Sequence, residues 1–128
     1  MAGGSEGVGA EFARLLAHSG VNLVLVARRT EPLAHTAEVC ARSGVEVRTV
    51  VADLATPGGC DAVTAATRGL EVGLLIYNAG ANTCSREFLD GDLAEFQRVV
   101  DLNITTMTGL VQHYGRAMRA RRRGGILL

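Results

Sequence analysis

The stretch Ala2-Gly3-Gly4-Ser5-Glu6-Gly7-Val8-Gly9 is a glycine-rich turn that runs directly into a helical pattern of apolar residues. Glycines let backbone N–H groups come close to a ligand, and the N-terminus of the following helix adds partial positive charge. We therefore expect the turn to hold phosphate, with a dinucleotide pyrophosphate as its natural ligand. Such a turn normally follows a strand inside a βαβ unit, but here only Met1 and Ala2 precede Gly3.

Length and composition indicate a single globular unit. The 128 residues are 48% hydrophobic and 20% charged with a formal net charge of +0, so we expect neither nucleic acid nor an anionic membrane as a partner. No apolar run approaches the ~18 residues of a membrane span, and no secretory leader is recognisable. The three cysteines, Cys40, Cys60 and Cys84, are odd in number and far apart. This favours free thiols in a cytoplasmic protein over disulfides or a metal site.

Strand-like and helix-like segments alternate along the chain. The predicted strands are short runs of branched apolar residues at 22–27, 45–51 and 72–77, with another beginning at 126. Helical patterns lie between them at 7–19, 30–43 and 56–66, and a long one runs from 92 towards the arginines at 119–123. The alternation predicts an α/β fold, a partial doubly wound parallel sheet truncated at both ends.

Two helix starts carry capping signals. Thr30 is the expected N-cap of the second helix, with Pro32 in its first turn. Asp92, with Glu95 three residues later, has the spacing of a capping box at the start of the long helix. These residues fix where the two helices should begin.

Three local motifs resemble those of the short-chain dehydrogenase/reductase family: Gly3-x-x-x-Gly7-x-Gly9, Asp53-Leu54 after the strand at 45–51, and Tyr77-Asn78-Ala79-Gly80 after the next one. The family usually has threonine at the position of Ala2 and asparagine at that of Tyr77, so both are departures. The resemblance extends over all 128 residues but covers only the N-terminal half of a typical member. It implies a Rossmann-like NAD(P)-binding domain, present here as one incomplete domain over residues 1–128.

The resemblance also implies roles for individual residues. The glycine turn would line the pyrophosphate and adenosine, and its last glycine would let helix and strand pack closely; the matching residues are Gly3, Ser5, Glu6, Gly7, Val8 and Gly9. Asp53 would meet the adenine amino group with the Leu54 backbone alongside; the alternative is a solvated turn residue. Asn78, Ala79 and Gly80 would flank the cofactor ribose, or would merely end a strand.

Asn103 resembles the family's active-site asparagine, which disturbs the long helix and supports a water in the proton relay. The alternative is a polar residue that is satisfied locally among apolar neighbours. Further along the same helix, His113, Tyr114 and the arginines at 119–123 are predicted to form a helix-end face, with the cations near the last carbonyls.

The preference for one cofactor can be argued from charge. An NAD site carries an acid near the end of its second strand for the ribose 2′-hydroxyl, whereas an NADP site carries arginine there for the 2′-phosphate. Arg28 and Arg29 follow the strand at 22–27, so NADP(H) is favoured over NAD(H). The alternative is that both arginines are solvated loop charges. The missing acid also argues against a methyltransferase that binds S-adenosylmethionine.

The catalytic half of the family pattern has no counterpart here. The family reduces a carbonyl with a tyrosine acid, a lysine four residues later and a serine that orients the substrate. The only tyrosines are Tyr77 and Tyr114, the residue four after Tyr114 is Met118, and the chain contains no lysine. Two interpretations remain: a fragment of an NADP(H)-dependent enzyme for a small carbonyl or alcohol substrate, inactive as this chain alone, or a non-catalytic nucleotide-binding or interaction remnant.

The resemblance places a strand before the glycine turn, at the centre of the sheet between the strands at 22–27 and 72–77. Without it we expect a gap with unpaired backbone groups and marginal stability. The alternative is that the two flanking strands close up and pair directly. The segments that set substrate choice and form the family's oligomer interface are also expected to lie outside these residues.

Overall fold

Parallel strands and α-helices alternate along residues 1–82 and 87–128, the part of the chain that the computed structural model describes. The helices are α1 Gly7–His18, α2 Thr30–Ala41, α3 Gly59–Ala66, α4 Leu93–Val100 and α5 Thr106–Ala120. The strands are β1 Leu23–Ala27, β2 Val47–Val51, β3 Leu74–Ile76 and β4 Gly125–Leu127. A 3-10 turn covers Phe88–Asp90 and a π-helical segment covers Asp101–Thr105. The predicted α/β alternation is therefore confirmed.

The strands form two parallel pairs. β1 pairs with β2 in a register that runs from Leu23 opposite Val47 to Ala27 opposite Val51. β3 pairs with β4, with Leu75 opposite Ile126. The predicted partial parallel sheet is confirmed, although β2 and β3 are shorter than the apolar runs at 45–51 and 72–77 had suggested.

Ala2 lies between the two pairs and makes a parallel bridge to each, with Val26 on one side and Tyr77 on the other. Its N–H donates to the Ile76 carbonyl at 2.9 Å, and its carbonyl accepts from the Asn78 N–H at 3.0 Å. The order across the sheet is thus β2, β1, Ala2, β3, β4. β1 and β3 do not pair directly over their described residues, so the alternative in which they close up is wrong.

Two apolar clusters pack on opposite faces of the sheet, because neighbouring residues of a strand point to opposite sides. Leu25 belongs to the cluster under α1 and α2, together with Leu33. Val26, the next residue, belongs to the cluster under α3 and α5, together with Leu110. Both faces of β1 are therefore covered, as its continuous apolar run predicts.

The helix starts agree with the capping signals only in part. Asp92 caps α4 as predicted, and its carboxylate accepts from the Ala94 N–H at 2.8 Å. α2 instead begins at Thr30 itself, with Arg29 in the N-cap position in an extended conformation and without a side-chain cap hydrogen bond. The predicted Thr30 cap is wrong because Thr30 is already helical, and Pro32 falls in the first turn where its missing N–H costs nothing.

No helix within residues 1–82 and 87–128 is both long enough and apolar enough to cross a membrane.

Candidate cofactor-binding site

The glycine turn is held in shape by close backbone contacts with the turn that follows β3. Gly3 has a φ of +79°, and a Cβ there would lie 2.7 Å from the Ala79 nitrogen. A Cβ on Gly9, in the first turn of α1, would overlap the Gly3 carbonyl oxygen and lie 2.8 Å from the Asn78 side-chain nitrogen. Both positions require glycine, since a side chain at residue 3 would clash with the Ala79 backbone and one at residue 9 would push α1 away from Gly3.

The N-terminus of α1 has the features of an anion site. Glu6 occupies the N-cap position without a side-chain cap hydrogen bond, and Gly7 is in the left-handed region with open space where a Cβ would lie. The first N–H groups of a helix have no intrahelical acceptor, so they can bind phosphate oxygens. Val8 is exposed on this first turn, and the residues present therefore fit a pyrophosphate.

Ser5 is anchored from α2. The buried Thr36 hydroxyl donates to the Ser5 carbonyl at 2.9 Å. This hydrogen bond fixes the middle of the turn to the helix that packs beside α1. Thr36 was not among the residues predicted from the sequence. The one sequence feature that could have indicated its role is that it is a threonine on the otherwise apolar side of α2.

Arg28 and Arg29 directly follow β1, but they have different environments. The Arg29 guanidinium forms an ion pair with the Glu6 carboxylate at 2.7 Å, and both side chains are more than half exposed. Arg28 is exposed and forms no ion pair with any residue that the structure describes. Of these two arginines, Arg28 is therefore the one that is available to a ligand, whereas Arg29 is paired with the glycine turn.

Asp53, after β2, is held by a helix distant in the sequence. Its Oδ2 accepts from the Arg98 guanidinium at 2.7 Å, and its Oδ1 accepts from the Ala55 N–H at 3.0 Å. The hydrogen bond to Arg98, followed by that to Ala55, holds the pKa of Asp53 below its usual 3.8, and the charge of Arg28 acts in the same direction. Asp53 is thus an oriented carboxylate rather than a free turn residue.

Leu54 is buried beside Asp53. Its carbonyl accepts from the buried Thr106 hydroxyl at 2.8 Å. The backbone at this position is therefore tied to the start of α5.

The turn after β3 joins the glycine turn to Asn103. The Asn78 side chain donates to the Gly3 carbonyl at 3.3 Å. A Cβ on Gly80 would lie 3.1 Å from the Asn103 Oδ1. Asn103 donates to the Ala81 carbonyl at 2.8 Å and accepts from the Ala81 N–H at 3.4 Å. Asn103 lies in the π-helical segment, which agrees with the expected disturbance of the helix.

Both tyrosines are buried and hydrogen-bonded inside the protein. The Tyr77 hydroxyl donates to the Leu102 carbonyl at 2.5 Å, and burial raises the pKa of Tyr77 to about 12. The Tyr114 hydroxyl lies 2.6 Å from the Thr67 hydroxyl, and burial raises its pKa too. The predicted helix-end face is therefore wrong for Tyr114, which lies in the core. The spacing of Leu110, Tyr114 and Met118 along one side of α5 was the signal for burial.

The structure thus brings together the predicted residues of three chain segments. The glycine turn contacts the turn after β3, Asn103 binds the backbone just past Gly80, and the charge of Arg28 helps to lower the pKa of Asp53. Arg98 was missed, because nothing in the sequence around it indicates a contact with Asp53. Cys84 lies outside the described residues, among which Cys40 and Cys60 are free thiols and no group of three or more potential metal ligands occurs.

Comparisons with known proteins agree with this arrangement. The family model described as short chain dehydrogenase matches residues 1–128. The chain is similar to a 7beta-hydroxysteroid dehydrogenase of Collinsella aerofaciens, with 34% identity over 126 residues, which are 98% of this chain and 48% of that protein.

Two solved structures are similar as well. One is a short-chain dehydrogenase from Sphingobium yanoikuyae in complex with NADPH, with a TM-score of 0.90 and 34% identity over 98% of this chain and 50% of that one. The other is L-sorbose reductase from Gluconobacter frateurii complexed with NADPH and L-sorbose, with a TM-score of 0.88 and 31% identity over 98% of this chain and 49% of that one.

The chain spans about half the length of the curated relatives it matches. The family match nevertheless covers all of its residues, and the parallel sheet, the glycine turn and the turn after β3 agree with it. The chain belongs to the short-chain dehydrogenase family and corresponds to its N-terminal portion.

Proposed function

We propose that residues 1–128 are the cofactor-binding half of an NADP(H)-dependent oxidoreductase that transfers hydride between the cofactor and a carbonyl or alcohol substrate. The observation that carries the proposal is Arg28, an exposed guanidinium without an ion-pair partner among the described residues, at the end of the strand beside the glycine turn. A guanidinium binds phosphate oxygens in a bidentate manner, so it suits the 2′-phosphate that distinguishes NADP from NAD. Similarity to two structures in complex with NADPH supports the same choice.

In this proposal each segment holds one part of the cofactor. The free N–H groups at the start of α1 bind the pyrophosphate, and the Glu6–Arg29 ion pair keeps the turn in place. The Asp53 carboxylate, oriented by Arg98, accepts from the adenine amino group through lone pairs that remain unused. The turn at residues 78–80 lies beside the ribose. When bound, the cofactor supplies or accepts the hydride, and these residues orient it.

Asn103 is proposed to act at the substrate end of the site. Its amide holds the Ala81 backbone, and the long 3.4 Å hydrogen bond to Oδ1 leaves that oxygen able to accept from a water molecule as well. A proton donor for the substrate is not assigned within residues 1–128, because both tyrosines are engaged in the core and no lysine is present. We therefore propose that this chain alone binds cofactor but does not turn substrate over. A cytoplasmic location, and an oligomer interface outside these residues, are part of the same proposal.

The proposal is tested by measuring NADPH and NADH binding to the chain by cofactor fluorescence. The Arg28→Ala variant is expected to weaken NADPH binding about 10-fold to 100-fold, the equivalent of one charge-assisted hydrogen bond of ~1.5–3 kcal/mol, and to leave NADH binding within about 2-fold. Arg116→Ala, which removes an exposed arginine from α5, is the matched control and should change neither. If Arg28→Ala lowers the affinities for NADPH and NADH equally, or lowers neither affinity, the result contradicts an NADP-type site.

The second candidate is a non-catalytic nucleotide-binding protein, which the buried tyrosines also favour. Both candidates predict NADPH binding without turnover by this chain. They separate when the chain is joined to the C-terminal half of a family member that carries the missing tyrosine and lysine: NADPH-dependent reduction of a ketone supports the oxidoreductase. A hybrid that folds and binds NADPH but shows no turnover supports the non-catalytic candidate.

A further inference from the structure

Thr36 is a polar side chain buried among apolar neighbours. It lies in the middle of α2 and is 1% exposed. Leu33 and Cys40, which are buried on the same helix, belong to the apolar cluster under α1 and α2. A buried hydroxyl has lost its hydrogen bonds to water, so its burial costs free energy unless the protein supplies a partner. The partner that the Thr36 hydroxyl has lies outside its own helix.

The hydrogen bond of Thr36 is unusual for a threonine on a helix. Such a hydroxyl commonly donates to the carbonyl four residues earlier, as Thr67 at the end of α3 does to Val63 at 3.0 Å. Thr36 instead donates to the Ser5 carbonyl, 31 residues earlier, at 2.9 Å. The Ser5 carbonyl accepts no other hydrogen bond from the residues that the structure describes. The middle of the glycine turn therefore depends on one side chain of the neighbouring helix.

The direction of the Ser5 carbonyl decides where the next N–H group points. A trans peptide group is planar, so its C=O and N–H point in opposite directions. Because the Ser5 carbonyl points towards the buried Thr36 hydroxyl, the Glu6 N–H points away from it. Glu6, Gly7 and Val8 are exposed, and their N–H groups have no acceptor within the described parts of the chain. Thr36 thus adds the Glu6 N–H to the free N–H groups at the start of α1.

We propose that Thr36 is a positioning residue for the cofactor pyrophosphate and acts through the peptide group between Ser5 and Glu6. This inference rests on the proposed function, in which the glycine turn binds the pyrophosphate. With the Ser5 carbonyl held by Thr36, the Glu6 N–H donates to a phosphate oxygen. If the peptide group turned over, the carbonyl oxygen would face the phosphate and repel it. Without the hydroxyl, the inward direction of the carbonyl loses the hydrogen bond that favours it.

The test compares two variants that separate the hydroxyl from the methyl group of Thr36. Thr36→Val removes the hydroxyl and keeps the branched shape, whereas Thr36→Ser keeps the hydroxyl and removes the methyl group. Cofactor fluorescence should show that Thr36→Val binds NADPH and NADH about 10-fold more weakly, by the same factor for both, since both contain the pyrophosphate. Thr36→Ser should keep both affinities within about 2-fold, although the lost methyl group lowers its stability in urea.

Two outcomes of this comparison overturn the proposal. One is a Thr36→Val variant that binds both cofactors as tightly as the parent chain. The other is an equal loss of affinity in Thr36→Ser, which would show that only the packing of α2 matters.

Thr67→Val is the matched control for stability. It makes the same change at another buried threonine whose hydroxyl donates to a backbone carbonyl, and α3 packs on the opposite face of the sheet from α2. We expect lower stability in urea and unchanged affinity for both cofactors. If Thr67→Val weakens cofactor binding as much as Thr36→Val does, affinity merely follows stability and the positioning role is contradicted.

A fragment of the cofactor separates this inference from the proposed NADP preference. Adenosine 2′-phosphate has the adenine and the 2′-phosphate but no pyrophosphate, and its binding can be followed by NMR titration. Thr36→Val should bind it as the parent chain does, whereas Arg28→Ala should bind it more weakly. A loss of this fragment in Thr36→Val overturns the role at the pyrophosphate. If Arg28→Ala binds NADPH normally while Thr36→Val weakens both cofactors, the NADP preference is wrong and the role of Thr36 stands.

Discussion

The carbonyl oxygen of Gly3 occupies the space into which a Cβ on Gly9 would project. The first turn of α1 can therefore approach the end of β3 only because residue 9 has no side chain. The contact ties the position of the helix N-terminus to the sheet, and with it the direction in which the free N–H groups point.

Gly9→Ala should destabilise the chain, because the added methyl group forces α1 away from Gly3 and Asn78. Overpacking of this kind costs about 1–3 kcal/mol, and NADPH binding should fall with it. Urea unfolding and cofactor fluorescence measure the two effects. Gly58→Ala is the matched control: its φ is −83° and no atom lies near its Cβ position, so stability should stay constant or rise by up to ~1 kcal/mol. Equal stability of the Gly9→Ala variant and the parent chain contradicts the packing argument.

The Asp53–Arg98 ion pair should make stability fall at acidic pH. The folded chain holds the pKa of Asp53 below 3.8, so its contribution is present above that value and is lost as the pH falls through the folded pKa. Both side chains are at least a third exposed, so the contribution is about 1 kcal/mol or less. Urea unfolding from pH 6 down to pH 2 should show a smaller loss for Asp53→Asn than for the parent chain. In Arg98→Gln, NMR titration should find the pKa of Asp53 closer to its usual value; an unchanged pKa would rule out Arg98 as the main cause.

Asn103→Leu should loosen the turn after β3. The substitution keeps the side-chain size but removes both hydrogen bonds to the Ala81 backbone, which leaves polar groups unpaired at a cost of about 1–3 kcal/mol. We expect lower stability in urea and weaker NADPH binding. Gln112→Leu, on the exposed side of α5, is the control and should have neither effect. Full cofactor affinity in Asn103→Leu would show that the turn does not depend on this side chain.

The parts of the fold that were predictable are those set by local sequence. The apolar run around Leu25 predicts a strand with both faces covered, and Asp92 marks the start of α4 with a side chain that can cap it. The glycine turn, too, carries its signal in residues next to one another. Each of these depends on the conformational preference of a few consecutive residues, and the structure confirms them.

What could not be predicted depends on contacts between distant segments. The Asp53–Arg98 pair joins residues 45 positions apart, and the Thr67–Tyr114 pair joins residues 47 apart. Which exposed arginine meets which acid is decided by how α4 packs beside the end of β2, and the local pattern around Arg98 gives no indication of it. Thr30 was wrong as a cap because α2 begins at Thr30 itself, with Arg29 in the N-cap position.

Ala2 also determines how the sheet would respond to mechanical load. Five residue pairs hold β1 to β2 and three hold β3 to β4, whereas within the described part of the sheet these halves are joined by the backbone hydrogen bonds of residues 1–4. A pulling force across the strands would therefore concentrate on the backbone hydrogen bonds around Ala2.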